Sequence, residues 1–131
     1  MDDSYYRITS GQLDMLKAEV AKGYPIILCM HIPIYAPKLA KASIPEWAPN
    51  VSHILGVPEE LLAKYPDDRR AQQEADTETN IAIEYIKSEP LIKALITGHT
   101  HINHEEPIAP GKMQYTTHGS FAGYVREITI I

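Results

Sequence analysis

The stretch that decides the fold is Pro25-Ile26-Ile27-Leu28-Cys29-Met30-His31, in which apolar side chains follow one another up to a histidine. The early isoleucines and the unbroken apolar character predict a strand that is buried on both faces. Pro33 ends this strand, because proline has no amide donor and holds the residue before it extended. His31 is therefore predicted at the carboxyl end of a buried strand, where open α/β sheets bind their ligands.

A second apolar stretch, Leu91–Thr97, runs in the same way into Gly98-His99-Thr100-His101. A helix that begins at Asp76 or Thr77 is predicted between the two stretches. Strands joined through a crossover helix lie parallel, so both carboxyl ends meet at one edge of the sheet. The sequence thus predicts an α/β fold in which His31 and the two histidines of the second stretch lie within reach of one point.

Further helix and strand signals flank these two stretches. Thr9 and Gln12 predict a capping box at the start of a helix that Gly23 ends. Pro110-Gly111 predicts a turn between strands. Three more strands are predicted, at Glu106–Ala109, Met113–Thr117 and Tyr124–Ile131.

Residues 33–75 form a proline-rich segment that contains six of the ten prolines. Short helices are predicted within it, at Glu59–Lys64 and Arg69–Ala75. Its aromatic residues Tyr35, Trp47 and Tyr65 favour a packed loop over a disordered one. We expect this segment to be a loop insertion near the site that sets substrate choice.

The composition is that of one ordinary folded domain: 131 residues, 44% hydrophobic and 22% charged. A net charge of −5 and the lack of a basic run argue against general nucleic-acid binding. No apolar stretch approaches the ~18 residues that span a membrane, and the acidic start is not a signal peptide, so a cytoplasmic location is expected. Cys29, the only cysteine, excludes an internal disulfide and is predicted to be a buried, unreactive side chain.

The histidines are candidates for metal binding, because imidazole is the commonest protein ligand of transition metals near neutral pH. Gly98 is expected to supply the close or left-handed backbone of the turn that presents His99 and His101. Taken alone, the H-x-H pair is explained by histidines exposed in a loop. His31 alone is explained by a hydrogen-bonded structural residue at a strand end. The two strand ends together favour a metal site formed by His31, His99 and His101.

The sequences PIILCMHIPIY (25–35) and KALITGHTHIN (93–103) resemble the last two signature motifs of the calcineurin-like metallophosphoesterases, an isolated histidine and G-H-x-H. THGSFAGY (117–124) resembles the glycine-serine segment that follows them, so the resemblance covers nearly the whole chain. It implies a four-layer αββα sandwich with two mixed sheets, and hydrolysis of a phosphoester substrate.

The resemblance also implies ligand roles. His31 and His99 correspond to ligands of one metal ion, and His101 corresponds to a ligand of the other. In the family two divalent ions activate a water and hold the phosphoryl oxygens, and Mn, Fe and Zn all suit such ligands. No catalytic residue beyond these ligands is identified, and the substrate-binding residues stay unknown.

The family's acidic motifs, D-x-H, G-D-x-x-D and G-N-H-E or G-N-H-D, are missing from this sequence. Ile102-Asn103-His104-Glu105 imitates N-H-E but follows G-H-x-H, and we interpret it as coincidence. Asp2 and Asp3 are interpreted as remnants of a linker rather than catalytic acids. We therefore expect residues 1–131 to be one partial domain, the C-terminal half, with at most one metal ion and weak or no activity alone.

Two alternatives remain open: a non-catalytic half-domain that assembles with a partner, and a protein that binds a single metal ion without turnover. A homo-oligomer is expected, because a half-domain leaves a sheet edge and an apolar surface uncovered. His53 and His118 are interpreted as a surface and a supporting histidine. Tyr35 and Trp47 line a substrate pocket or pack within the loop.

Overall fold

The computed structural model describes residues 1, 3, 6–47, 54–63 and 65–129, without the side chains of residues 44–47, 68, 69 and 72. Its helices are α1 (Ser10–Val20), α2 (Pro37–Trp47), α3 (Glu59–Leu62), α4 (Asp67–Gln73) and α5 (Thr77–Ser88), with a 3-10 turn at Ser120–Ala122. Its strands are β1 (Ile26–Cys29), β2 (Ile92–Thr97), β3 (His104–Ala109) and β4 (Lys112–Thr116).

The strands form one mixed sheet in the order β1-β2-β4-β3. β1 and β4 both pair with β2 in parallel, and β3 pairs with β4 antiparallel. The chain is therefore a mixed α/β protein, and the predicted parallel pairing of its first two strands is confirmed. None of the helices among the described residues is long and apolar enough to cross a membrane.

The helix starts follow their local signals. Thr9 caps α1 through the predicted reciprocal capping box with Gln12, and Gly23 follows the helix with a left-handed φ of 81°. Asp76 caps α5 by accepting a hydrogen bond from the Thr79 amide at 2.8 Å.

The two faces of the sheet differ in their cover. On one face, Leu28 of β1 and Leu95 of β2 lie in a buried cluster with apolar residues of α1 and α5. The register places these residues on the other face: Ile27, Cys29, Ala94, Ile96, Met113 and Tyr115. All six are partly or largely exposed, and none belongs to either buried cluster of the described residues. The prediction that β1 and β2 are buried on both faces is therefore wrong for this chain.

Cys29 is exposed, contrary to the prediction, because it lies on this uncovered face. The predicted strand at Tyr124–Ile131 is also wrong over residues 124–129, which form no strand. β-branched residues favour a strand only beside a neighbouring strand. Instead, Arg126 of this segment bonds the Thr116 carbonyl and the Glu105 carboxylate, both at 3.2 Å.

The described part of the proline-rich segment is packed, as predicted. Its buried residues form a second apolar cluster that includes Leu39, Ile54 and Tyr65. The predicted short helices correspond to α3 and α4. The prediction missed α2, in which Pro37 occupies the first helical position, where a proline costs no hydrogen bond.

Buried polar side chains of the sheet hold this segment in place. Gln114 is 1% exposed and bonds both the amide and the carbonyl of Ile34, at 2.9 and 2.8 Å. The Glu106 carboxylate accepts hydrogen bonds from the amides of Lys38 and Leu39 in the first turn of α2. A carboxylate at a helix N-terminus accepts hydrogen bonds from the unpaired amides and interacts favourably with the positive end of the helix dipole. These side chains of the sheet thereby fix the position of the backbone that follows β1.

Candidate metal centre

The candidate site lies where β1 and β2 end. Hydrogen bonds continue the parallel pairing past both strands, from the Met30 amide to the Ile96 carbonyl and from the Gly98 amide to the His31 carbonyl, both at 3.0 Å. The Nε2 atom of His31 lies 2.8 Å from Nδ1 of His99. The two rings meet edge to face, with centroids 4.7 Å apart. The structure thus brings two of the three predicted ligands into direct contact.

The backbone of the G-H-x-H turn is strained at the histidines. His99 and His101 have φ values of 65° and 55°, in the left-handed region that non-glycine residues rarely adopt. The Thr100 amide, between them, bonds the Gly98 carbonyl at 2.7 Å. Backbone strain of this kind costs about 1–3 kcal/mol per residue and concentrates at functional sites.

The expected role of Gly98 is wrong. Its φ is not positive, and a Cβ atom there would meet nothing closer than 3.9 Å. The turn places the left-handed conformation on the histidines rather than on the glycine before them. Sequence reasoning assigned that conformation to Gly98, because glycine is the usual residue there.

Asp3 is a buried carboxylate that sequence reasoning missed. It is 2% exposed, and its Oδ1 and Oδ2 accept hydrogen bonds from the amides of His31 and Ile32 at 3.2 and 2.6 Å. Burial raises the pKa of Asp3, and these two amide hydrogen bonds oppose the rise. Asp3 is therefore attached to the backbone that carries His31.

The segment after Asp3 reaches the second histidine. The Tyr6 amide bonds the Asp3 carbonyl at 2.8 Å, and Tyr6 has a left-handed φ of 59°. Its ring lies edge-on to the ring of His99, with centroids 6.0 Å apart. Asp3 and Tyr6 thus contact the two members of the histidine pair, the first through the His31 amide and the second through the His99 ring.

His101 lies in an aromatic group at the rim of the site. Its ring meets Phe121 edge to face at 5.0 Å between centroids, and His118 is 6.2 Å away. His118 stacks on Tyr124 at 4.5 Å, and its amide bonds the Asn103 side chain at 3.0 Å. The supporting role predicted for His118 agrees with these contacts. Phe121 and Tyr124 are 76% and 49% exposed, and no sequence signal singled them out.

His104 of the look-alike N-H-E sequence contacts a carboxylate of its own strand. His104 Nε2 is 3.2 Å from Oε2 of Glu106, the carboxylate that caps α2. His104 therefore helps to hold the sheet to α2.

The histidine pair fits a metal ion only after a small adjustment. Two nitrogens bound to one tetrahedral zinc at about 2.0–2.1 Å would be roughly 3.3 Å apart, whereas Nε2 of His31 and Nδ1 of His99 are 2.8 Å apart. Binding one ion would therefore require the two nitrogens to move about 0.5 Å further apart. Across the described residues, no group of three or more His, Cys, Asp or Glu side chains is arranged to hold a metal ion. The assignment of His101 as a third ligand stays a prediction.

Some predictions fall outside the described part of the chain. Asp2, His53 and the side chain of Trp47 are among them. Tyr35, by contrast, is half-buried and packs against the second apolar cluster, which agrees with a packing role.

Comparisons with protein-family models, with curated proteins and with solved structures find no match to this chain. The likeness to metallophosphoesterases therefore rests on the motifs of the sequence alone.

Proposed function

We propose that this chain is the histidine-bearing half of a calcineurin-like metallophosphoesterase domain, a divalent-metal-dependent phosphoester hydrolase. The observation that carries the proposal is the contact of His31 with His99 across two parallel strand ends. These two residues are the pair that the resemblance assigns to one metal ion. The left-handed backbone of His99 and His101 adds support, because such strain concentrates at functional sites.

The chemistry divides between the ion and the chain. A bound divalent ion attracts phosphoryl oxygens and lowers the pKa of a water. His31 offers Nε2 and His99 offers Nδ1, each as a neutral imidazole, which is the form that binds metals. In the ion's absence, one nitrogen donates a hydrogen to the other. That ring must adopt its other tautomer before both lone pairs face the same point.

We further propose that the chain alone binds at most one ion and turns over little substrate. The acidic motifs that would bridge two ions are missing from its sequence. Neutral imidazoles can bind one divalent ion, but they carry no negative charge that would offset the positive charges of two adjacent ions. The ion is Mn, Fe or Zn, and the substrate is a phosphoester rather than nucleic acid in general.

The four-layer sandwich belongs to this proposal as well. The sandwich is supported by the uncovered apolar face of the sheet, because such a face is normally buried against a second layer. This face consists of Ile27, Cys29, Ala94, Ile96, Met113 and Tyr115. In the isolated chain we expect a second copy to provide that layer, which makes the chain a homo-oligomer.

A single-metal binding protein without turnover is the second candidate. It is favoured by the contact of His31 with His99, which offers two nitrogens to one ion and involves no carboxylate. The two candidates differ in hydrolysis, and they agree on metal binding by His31 and His99.

Calorimetric titration with Zn²⁺ and Mn²⁺ tests the shared part, and hydrolysis of bis(p-nitrophenyl) phosphate separates the candidates. We expect one ion per chain in the wild type and loss of binding in His31→Ala and His99→Ala. His53→Ala, which removes a histidine outside both motifs, serves as the matched control and retains binding. Equal ion binding in all three variants would refute the site. Zinc binding with no metal-dependent hydrolysis, even after the family's missing half is supplied in trans, would favour the second candidate.

A further inference from the structure

We propose that Asp3 is a positioning residue for His31, whose carboxylate holds the His31 and Ile32 amides so that the His31 ring faces His99. This inference deepens the metal site proposed above, and it rests on that site only for its metal-binding readout. The contact between the two rings exists without an ion and can be measured on its own.

The position of β1 in the sheet explains why such a residue is needed. β1 is an edge strand among the described strands, so no strand amides or carbonyls face its outer side. His31 and Ile32 follow the strand end, and buried amides without partners are costly. Asp3 supplies one oxygen to each amide, from a position 28 residues before His31.

The chemistry of the group suits positioning. Hydrogen bonds to an ionised carboxylate are about twice as strong as those between neutral groups. A carboxylate is costly to bury, and Asp3 is 2% exposed with both oxygens engaged on adjacent amides. Two bonds to consecutive residues fix the direction of the backbone, and with it the direction in which the His31 side chain leaves.

The same segment also contacts the partner of His31. The Tyr6 amide bonds the Asp3 carbonyl, and the Tyr6 ring lies against His99. Asp3 is therefore linked to both sides of the pair, to His31 through its carboxylate and to Tyr6, which lies against His99, through its backbone carbonyl. A side chain that only stabilised the fold would not have to affect either ring.

The test uses Asp3→Asn, which keeps one acceptor oxygen and places an NH2 group where the other oxygen stood. In the metal-free protein, we expect the imidazole nitrogen signals of His31 and His99 in NMR spectra to lose the mark of their mutual hydrogen bond. We expect the Zn²⁺ affinity to fall by about 10- to 100-fold, the range for groups that orient metal ligands.

Thr79→Val is the matched control. The Thr79 hydroxyl oxygen accepts a hydrogen bond from the Ile8 amide at 3.0 Å, in the same N-terminal part of the chain. Its loss removes this buried bond to a backbone amide, together with the hydroxyl's hydrogen bond to the Asp76 carboxylate, without touching either histidine. We expect this variant to lower thermal stability while the imidazole signals and the Zn²⁺ affinity stay as in the wild type.

Each outcome decides something. Unchanged imidazole signals in folded Asp3→Asn would overturn the proposal, as would the same loss of affinity in Thr79→Val. If the wild type binds no Zn²⁺, the proposed metal site is refuted. The imidazole signals then still test the positioning role of Asp3. If Asp3→Asn does not fold, the test is instead made by measuring amide hydrogen exchange in the wild type. Protected His31 and Ile32 amides are expected, and exchange at the rate of open amides would overturn the inference.

Discussion

Nε2 of His31 and Nδ1 of His99 lie 2.8 Å apart, although the two residues are separated by 68 positions in the chain. Parallel pairing of β1 with β2 brings their strand ends to one edge, and the Gly98 amide bonds the His31 carbonyl at 3.0 Å. Two strands that each end in histidine have thus become one pair of facing nitrogens. The distance is short enough that the rings act as a unit.

The two histidines should therefore show coupled metal binding. Alanine at either position removes one of two nitrogens that face the same point, so His31→Ala and His99→Ala are each expected to remove most of the Zn²⁺ affinity. The double variant should lose little more than either single one, because contacting residues are not additive. Calorimetric titration of the four proteins measures this. Additive losses would mean that the rings bind at separate places.

The left-handed backbone at His101 predicts a gain in stability from glycine. His101→Gly and His101→Ala both remove the ring, but only glycine adopts a φ of 55° without strain. We expect the glycine variant to be about 1 kcal/mol more stable than the alanine variant in urea unfolding. The alanine variant is the control for loss of the ring. Equal stabilities would show that the backbone changes its conformation once the ring is removed.

Lys112 should contribute strongly to stability. It is 4% exposed, and its ammonium group donates to the carbonyls of Ile86, Lys87 and Glu89 at the end of α5. Lys112→Met would leave these acceptors without their charged donor at a helix C-terminus.

The expected loss for Lys112→Met is about 2–3 kcal/mol in the free energy of unfolding, from the cost of unmade hydrogen bonds to a charged group. Lys93→Met is the control, because Lys93 is an exposed lysine on the neighbouring strand β2. That change should stay within about 0.5 kcal/mol. Similar losses in the two variants would contradict a capping role for Lys112.

Asp76 predicts a pH dependence at the start of α5. Hydrogen bonds from the Thr79 side chain and amide, with the Arg7 guanidinium nearby, lower the pKa of Asp76. A carboxylate with a lowered folded pKa adds stability above its unfolded pKa of 3.8 and loses that contribution as the pH falls through the folded value.

At pH 7, Asp76→Ala should therefore cost about 1 kcal/mol, the usual value of a helix cap. Asp76→Asn keeps a capping oxygen without a titrating group. The stability of this variant relative to wild type should improve as the pH falls below 3.8. Urea unfolding between pH 2 and pH 7 measures both effects. A constant difference between wild type and Asp76→Asn over that range would contradict the lowered pKa.

The uncovered sheet face predicts self-association. Light scattering at micromolar concentration should give a dimer or larger species, since exposed apolar faces mark interfaces. Met113→Lys, on that face, should shift the protein towards the monomer. Ile81→Lys is the control, because Ile81 is 54% exposed on α5, which packs against the opposite face. A wild-type monomer with cooperative unfolding would show that the chain closes its own core.

Local signals in the sequence were enough to predict several elements. The T-x-x-Q box at Thr9 and Gln12 and the cap at Asp76 depend on bonds between residues three positions apart, so they need no tertiary partner. The apolar runs of β1 and β2, with the helical stretch between them, also determined parallel pairing. From that pairing the meeting of His31 with the G-H-x-H turn could be predicted.

Tertiary structure alone decided what depends on distant partners. Residues 124–129 have strand-forming side chains but pair with none of the described strands, and Cys29 is exposed because its face of the sheet is uncovered. Asp3 had no motif around it, since its role comes from two amides that β1 brings to it across the fold. The left-handed backbone of His99 and His101 likewise results from closing the turn against β1. The residue type sets the energetic cost of a left-handed backbone. The surrounding tertiary contacts determine whether the chain adopts that backbone despite the cost.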